Sequence, residues 1–257
     1  MKILLVEGKN DASVIKSLCE KSGIGGVHIL SAEKGVIKSY YAKKEELGDE
    51  KINFAIYPAG NDDKLVKAIY PALQEDEAKN LQGKKVETEE VETLAFILDA
   101  DTKKDKDNDI NINSRLQQIA YRFRTFPNYK NHFKKMNPDG LIIPKVEALP
   151  RIGLWLMPNN TKQGMLEDFL MEMVNFPDNE GACIKLAKEC VTRAVNEECT
   201  SFRKPHLSKT VIHTYLSWQD EPGDALALSI TRGNLNAKSP IAIKFLTWLR
   251  KVFEIED

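Results

Sequence analysis

The sequence predicts an α/β fold, a mainly parallel sheet flanked by helices and followed by a helical C-terminal region. Three observations carry this. Ile3–Val6, Phe54–Tyr57 and Leu94–Leu98 are short runs of continuous apolar residues, the pattern of strands buried on both faces. Each run is closed by turn or polar chemistry: Glu7-Gly8, Pro58-Ala59-Gly60 and Asp99-Ala100-Asp101. Apolar residues at helical spacing then follow, and strands alternating with helices imply parallel pairing.

Taken in order, the first strand leads to a helix with Asn10 as N-cap, Val14, Ile15 and Leu18 on one face, and Gly23 as its stop. A further helix is predicted through Leu65, Ile69 and Leu73, then an acidic, aperiodic excursion over 75–93. The strand at 94–98 runs into a loop rich in lysine and aspartate at 102–109. Leu116, Ile119, Ala120 and Phe123 mark the next helix. Leu141–Ile143 and Ile152–Leu156 predict a hairpin across a proline-bearing turn, and Gly164 opens a helix through Leu166, Phe169, Leu170 and Met173. After about Pro177 strand signals stop. Residues 180–199, 207–219 and 240–253 are predicted helical, the last with Ser239 as N-cap and Pro240 at its first position. The expected division is an α/β unit over 1–177 and a helical region over 178–257 packed on it.

The chain has 257 residues, 42% hydrophobic and 29% charged, enough apolar material for a buried core. Its formal net charge of -1 gives no global field for nucleic acid, so any such contact must come from a local patch. Cys19, Cys183, Cys190 and Cys199 form no C-x-x-C pair, which suits reduced thiols. The apolar run after Met1-Lys2 is too short for a signal peptide, and no stretch approaches a membrane span. A soluble cytoplasmic protein is expected.

Acids sit where an open α/β sheet binds ligands, beyond the carboxyl ends of strands. Glu7 ends the first strand and Asp11 lies in the first turn of the helix after it. Asp99 and Asp101 are two apart on an extended segment, so their side chains share a side while Ala100 points into the fold. Four converging carboxylates repel unless a divalent cation neutralises them, and oxygen-only ligands favour Mg²⁺ or Mn²⁺ over zinc.

Residues 115–138 carry Arg115, Arg122, Arg124, Lys130, Lys134 and Lys135 with no acid among them. Tyr121, Phe123, Phe126, Tyr129 and Phe133 are interleaved, Phe123 in particular being expected in the helix core. Cations for phosphates and aromatic faces for bases are what single-stranded nucleic acid requires. Lys209 and Lys9 are candidates to meet negative charge developing in a transition state.

Leu4-Leu5-Val6-Glu7-Gly8-Lys9-Asn10-Asp11 resembles the E-G-x-x-D signature of Toprim domains, and Phe96-Ile97-Leu98-Asp99-Ala100-Asp101 resembles their D-x-D signature. More narrowly, Gly153–Asn160 (GLWLMPNN) followed by Gly164–Phe169 (GMLEDF) resembles stand-alone Toprim-like proteins related to OLD-type nucleases. That family has no assigned activity, and the likeness extends to Tyr215-Leu216 and the helical C-terminus. The resemblance implies a Toprim-like, Rossmann-like sheet with Glu7 as general acid/base and Asp11, Asp99 and Asp101 as ligands of Mg²⁺ or Mn²⁺. OLD-type nucleases carry further acids for a second metal, and Glu167 is the candidate here. It flanks the apolar face of its helix, whereas Asp168 lies almost opposite and is expected to be solvated.

The leading expectation is a metal-dependent nuclease acting on DNA or RNA. The chain is short for a topoisomerase and lacks the zinc module common in primases. No Walker A sequence G-x-x-x-x-G-K-[ST] is present, so an ATPase, if needed, comes from another chain. A haloacid-dehalogenase-type phosphatase with Asp99 as nucleophile ranks lower, because Lys103 stands where that motif wants threonine or valine. The non-enzymatic alternative is a degenerate Toprim module that binds nucleic acid or a partner protein.

Overall fold

A computed structural model describes residues 1–33, 35–60, 91–100, 112–123, 129, 132–145, 150–174, 181–202 and 206–256. The strands are β1 (Lys2–Val6), β2 (Val27–Ile29), β3 (Phe54–Pro58), β4 (Thr93–Asp99), β5 (Leu141–Ile143) and β6 (Arg151–Met157). The helices among the described residues are α1 (Lys9–Lys21), α2 (Val36–Leu47), α3 (Ile112–Arg122), α4 (Leu166–Met171), α5 (Ala182–Asn196), α6 (Leu207–Leu216), α7 (Leu226–Arg232) and α8 (Pro240–Phe253). The expected helix through Leu65, Ile69 and Leu73 and the loop at 102–109 lie outside the described residues.

The six strands form one sheet in the order β2-β3-β1-β4-β6-β5. Every neighbouring pair is parallel except β5 on β6, where Ile142 faces Gly153. Alternation along the strands sorts side chains onto two faces. Leu4, Val6, Phe54, Ile56, Ala95, Ile97, Trp155 and Met157 meet α1 and the C-terminal helices. Ile3, Leu5, Ala55, Tyr57, Leu94, Phe96, Leu98 and Leu154 meet α2, α3 and the aromatics after α3.

The helical C-terminal region shares the first of these cores. Phe245 and Trp248 of α8 lie edge-on and tilted against Trp155 at 5.2 and 5.5 Å, and Phe253 stacks on Phe54 at 4.3 Å. Gly153 permits this approach, since a Cβ there would come within 2.8 Å of Val252 Cγ1. At the start of α8 Ser239 Oγ accepts from the Ala242 N–H at 3.3 Å, with Pro240 at the first position as the sequence indicated.

Several expectations need correction. α1 begins at Lys9 with Gly8 as its cap, so Asn10 lies inside the first turn. The strand β2, at three residues, and α2, with only Val36, Ser39 and Tyr40 buried, carry too little local pattern to be read. Helix α4 ends at Met171, and Met173 is buried beyond it. No helix among the described residues is long and apolar enough to cross a membrane.

Candidate metal-binding acidic site

The chain leaves β1 toward β3 and β2 on one side and leaves β4 toward β6 and β5 on the other. A crevice therefore opens beyond the carboxyl ends of these two adjacent parallel strands, the place where open α/β sheets bind ligands. Glu7 stands directly after β1 and Asp99 ends β4. The Asp99 N–H donates to Glu7 Oε1 at 3.1 Å, which ties the first acid to the second strand. On its other side, the Glu7 carbonyl accepts from the Gly60 N–H at 2.8 Å.

The start of α4 closes the crevice. Asp99 Oδ1 accepts from the Leu166 N–H at 3.2 Å, and the Ala100 N–H donates to the Gly164 carbonyl at 3.0 Å. Glu167 thereby joins Glu7, Asp11 and Asp99. Removal from water pushes the Asp11 carboxyl up to about 6, with the charges of Glu7 and Glu167 adding to the rise and the amides of Asp11 and Gly8 opposing it. Asp99 is raised well above the ordinary carboxylate range, first by burial and then by the charges of Glu7, Asp11 and Glu167. The four residues thus form one electrostatic unit.

Such an all-oxygen donor set, in which Asp11 and Asp99 are raised, suits a hard divalent cation. Among the described residues, no three His, Cys, Asp or Glu side chains are already arranged around one point to hold a metal ion. Asp101, the fifth acid expected here, lies outside the described residues.

Arg115 is placed differently from the rest of its basic segment. It is only 3% exposed, and its Nε donates to the Asp99 carbonyl at 3.1 Å. It anchors the end of β4 and is not an open surface cation, a correction to the expected role. Phe123, Tyr129 and Phe133 are core residues, the Phe123 ring lying 5.0 Å from Phe133 and 5.9 Å from Tyr129, so they are not free to stack on bases. Tyr121 is exposed, as are Lys134 and Lys135. The Arg122 side chain, Arg124, Phe126 and Lys130 lie outside the described residues. Lys209 is exposed on α6 and Lys9 in the first turn of α1.

Asp168 also departs from expectation. Its Oδ2 accepts from the Met165 N–H at 2.8 Å, and its Oδ1 from Ser208 Oγ at 2.7 Å. It caps α4 and joins it to α6 instead of facing solvent. Gly164, at φ +150°, leaves room for that carboxylate, since a Cβ would sit 2.7 Å from Asp168 Oδ2.

The Asn159-Asn160 pair is likewise structural. Buried Asn160 accepts from the Leu156 N–H at 2.7 Å and donates to the Pro138 carbonyl at 3.1 Å, at a left-handed φ of 66°. Asn159 Oδ1 accepts from the Thr161 and Lys162 N–H groups. Asn160→Ala removes both bonds and favours a different backbone, so a loss of about 2–4 kcal/mol is expected, read as a lower urea midpoint. Nothing local in the sequence separates this turn from a catalytic motif.

The model of the family described as "Protein of unknown function (DUF3226)" matches residues 1–254. No curated protein and no solved structure matches the chain.

Proposed function

The chain belongs to the DUF3226 family along nearly its whole length, and we propose, on the geometry of its acidic site, that it is a Toprim-like, metal-dependent nuclease hydrolysing nucleic-acid phosphodiesters. The observation that carries this reading is the gathering of Glu7, Asp11, Asp99 and Glu167 beyond β1 and β4, where burial first, and then the charges of Glu7, Asp11 and Glu167, raise the proton affinity of Asp99. Such a cluster is costly for a metal-free fold to keep, and a divalent cation offsets the cost. Asp11, Asp99, Asp101 and Glu167 would hold Mg²⁺ or Mn²⁺. Bound there, the ion supplies Lewis-acid stabilisation of charge on the phosphoryl oxygens.

The chain's own residues do the remainder. Glu7, with one carboxylate oxygen fixed by the Asp99 N–H, handles the proton of the attacking or leaving oxygen. Arg115 and the Leu166 N–H hold Asp99 in place. Lys209 is assigned to charge developing in the transition state. DNA or RNA is the partner, an ATPase subunit on a separate chain is compatible with the lack of a Walker A motif, and a cytoplasmic setting suits free thiols.

A second reading is a Toprim-like module that binds nucleic acid or a partner protein without cutting. Two measurements separate them. Calorimetric titration with Mn²⁺ and Mg²⁺ is expected to show binding that Asp99→Asn weakens at least about tenfold, the loss of one charged ligand. Supercoiled plasmid, single-stranded DNA and transfer RNA are then incubated with each metal and with EDTA. Metal binding without cleavage of any of the three would leave the second reading standing, and no binding at millimolar metal would end the first.

A further inference from the structure

A hollow of about 540 Å³ lies at the opposite end of α1 from Asp11. Among the described residues lining it are four cations, Lys21, Lys238, Arg250 and Lys251, and no carboxylate. Its apolar lining includes Ile243, exposed over 53% of its surface, and Leu246. Of the nearby acids, Glu20 pairs with Lys16 at 3.1 Å and Glu254 pairs with Arg151, while Glu256 follows the lining residue Ile255. Lys21 and Arg250 are held by carbonyls, Lys21 Nζ donating to Thr231 O at 2.9 Å and Arg250 Nη2 to Ser22 O at 3.4 Å. Lys238 and Lys251 are exposed.

In a chain of net charge -1, this concentration of one sign marks a surface complementary to a polyanion. No aromatic residue lines the hollow among those described, so nothing there stacks on a base. We propose that this hollow grips the backbone phosphates of a nucleic-acid strand, without reading its sequence, as an anchor remote from the acidic site. The proposal rests on the nucleic-acid reading above. It gives that reading an electropositive surface which the segment 115–138, with Arg115 and three of its aromatics buried, supplies less well. From Asp11 to Lys21 along α1 is about 15 Å at 1.5 Å per residue, within reach of one bound strand of several nucleotides.

The test uses the full chain in EDTA, where cleavage is off, with a fluorescent oligothymidylate of about 20 nucleotides followed by anisotropy over a salt series. Wild type is expected to bind with affinity falling as salt rises. Lys238→Glu/Lys251→Glu is expected to weaken binding at least about tenfold and to flatten the logarithmic salt slope by about 1.4, or 0.7 for each lost phosphate contact. Lys238→Gln/Lys251→Gln, which only neutralises two exposed side chains, should fall between. Equal affinity in all three proteins overturns the anchor, as does failure of wild type to bind. Competition by poly-L-glutamate as strong as by unlabelled oligonucleotide overturns it in favour of an acidic protein partner. Cleavage with Mg²⁺ separates this proposal from the one it rests on. If wild type cuts and both variants bind as it does, the anchor is wrong and the nuclease stands. Charge-dependent binding without cleavage in any divalent metal leaves the anchor and removes the nuclease.

Discussion

Glu7→Gln is expected to slow phosphodiester cleavage by about 10²- to 10⁴-fold, the range of a lost general acid or base. The substitution is nearly isosteric, and a glutamine oxygen can still accept the Asp99 N–H that Glu7 Oε1 accepts at 3.1 Å. What it removes is the carboxylate's capacity to exchange a proton. Metal affinity should fall less than in Asp99→Asn, because Asp99 is assigned as a ligand and feels the charges of Glu7, Asp11 and Glu167 together. The fold should not suffer. One negative charge fewer among four relieves repulsion, so the melting temperature of the metal-free variant should equal or exceed that of wild type. Single-turnover rates measured at saturating Mn²⁺ check this directly. A variant that cleaves at the wild-type rate would remove Glu7 from the chemistry.

Without divalent metal, the native protein is expected to lose stability as pH rises from about 4 to above 6. The sign follows from Asp11, whose carboxyl is raised from 3.8 to about 6 in the folded chain. The folded state therefore binds this proton more tightly than the unfolded state. The resulting stability is complete below the unfolded value and is lost as pH climbs through the folded one. A shift of this size corresponds to at most ~3 kcal/mol for Asp11, and Asp99 acts in the same direction. Asp11→Asn should thus match wild type near pH 4 and exceed it by about 2–3 kcal/mol above pH 7. Millimolar Mg²⁺ or Mn²⁺ should close that gap by stabilising wild type selectively. Urea unfolding at three pH values, with EDTA and with metal, reads all of this. Parallel pH curves for the two proteins would show that Asp11 is not held in a charged, desolvated cluster.

Elements whose pattern is local are legible in the amino-acid order. Strands β1, β3 and β4 are buried on both faces and show as unbroken apolar runs. The start of α8 is written in Ser239 and Pro240. Glu7, Asp11 and Asp99 could be chosen because strand-end position places an acid in the crevice of any open parallel sheet. Glu167 could be chosen from helical spacing, although only the approach of α4 to β4 brings it to that crevice. The remaining placements come from packing between distant segments. It buried Arg115 behind the Asp99 carbonyl and drew Asp168 onto Ser208. It also turned the Asn159-Asn160 motif inward and collected Lys21, Lys238, Arg250 and Lys251 around one hollow. The physical reason is the same in each case. Periodicity and caps are properties of neighbouring residues, whereas a charge's partner is set by which distant backbone atoms the packing of the two cores brings beside it, and no local pattern records that distance.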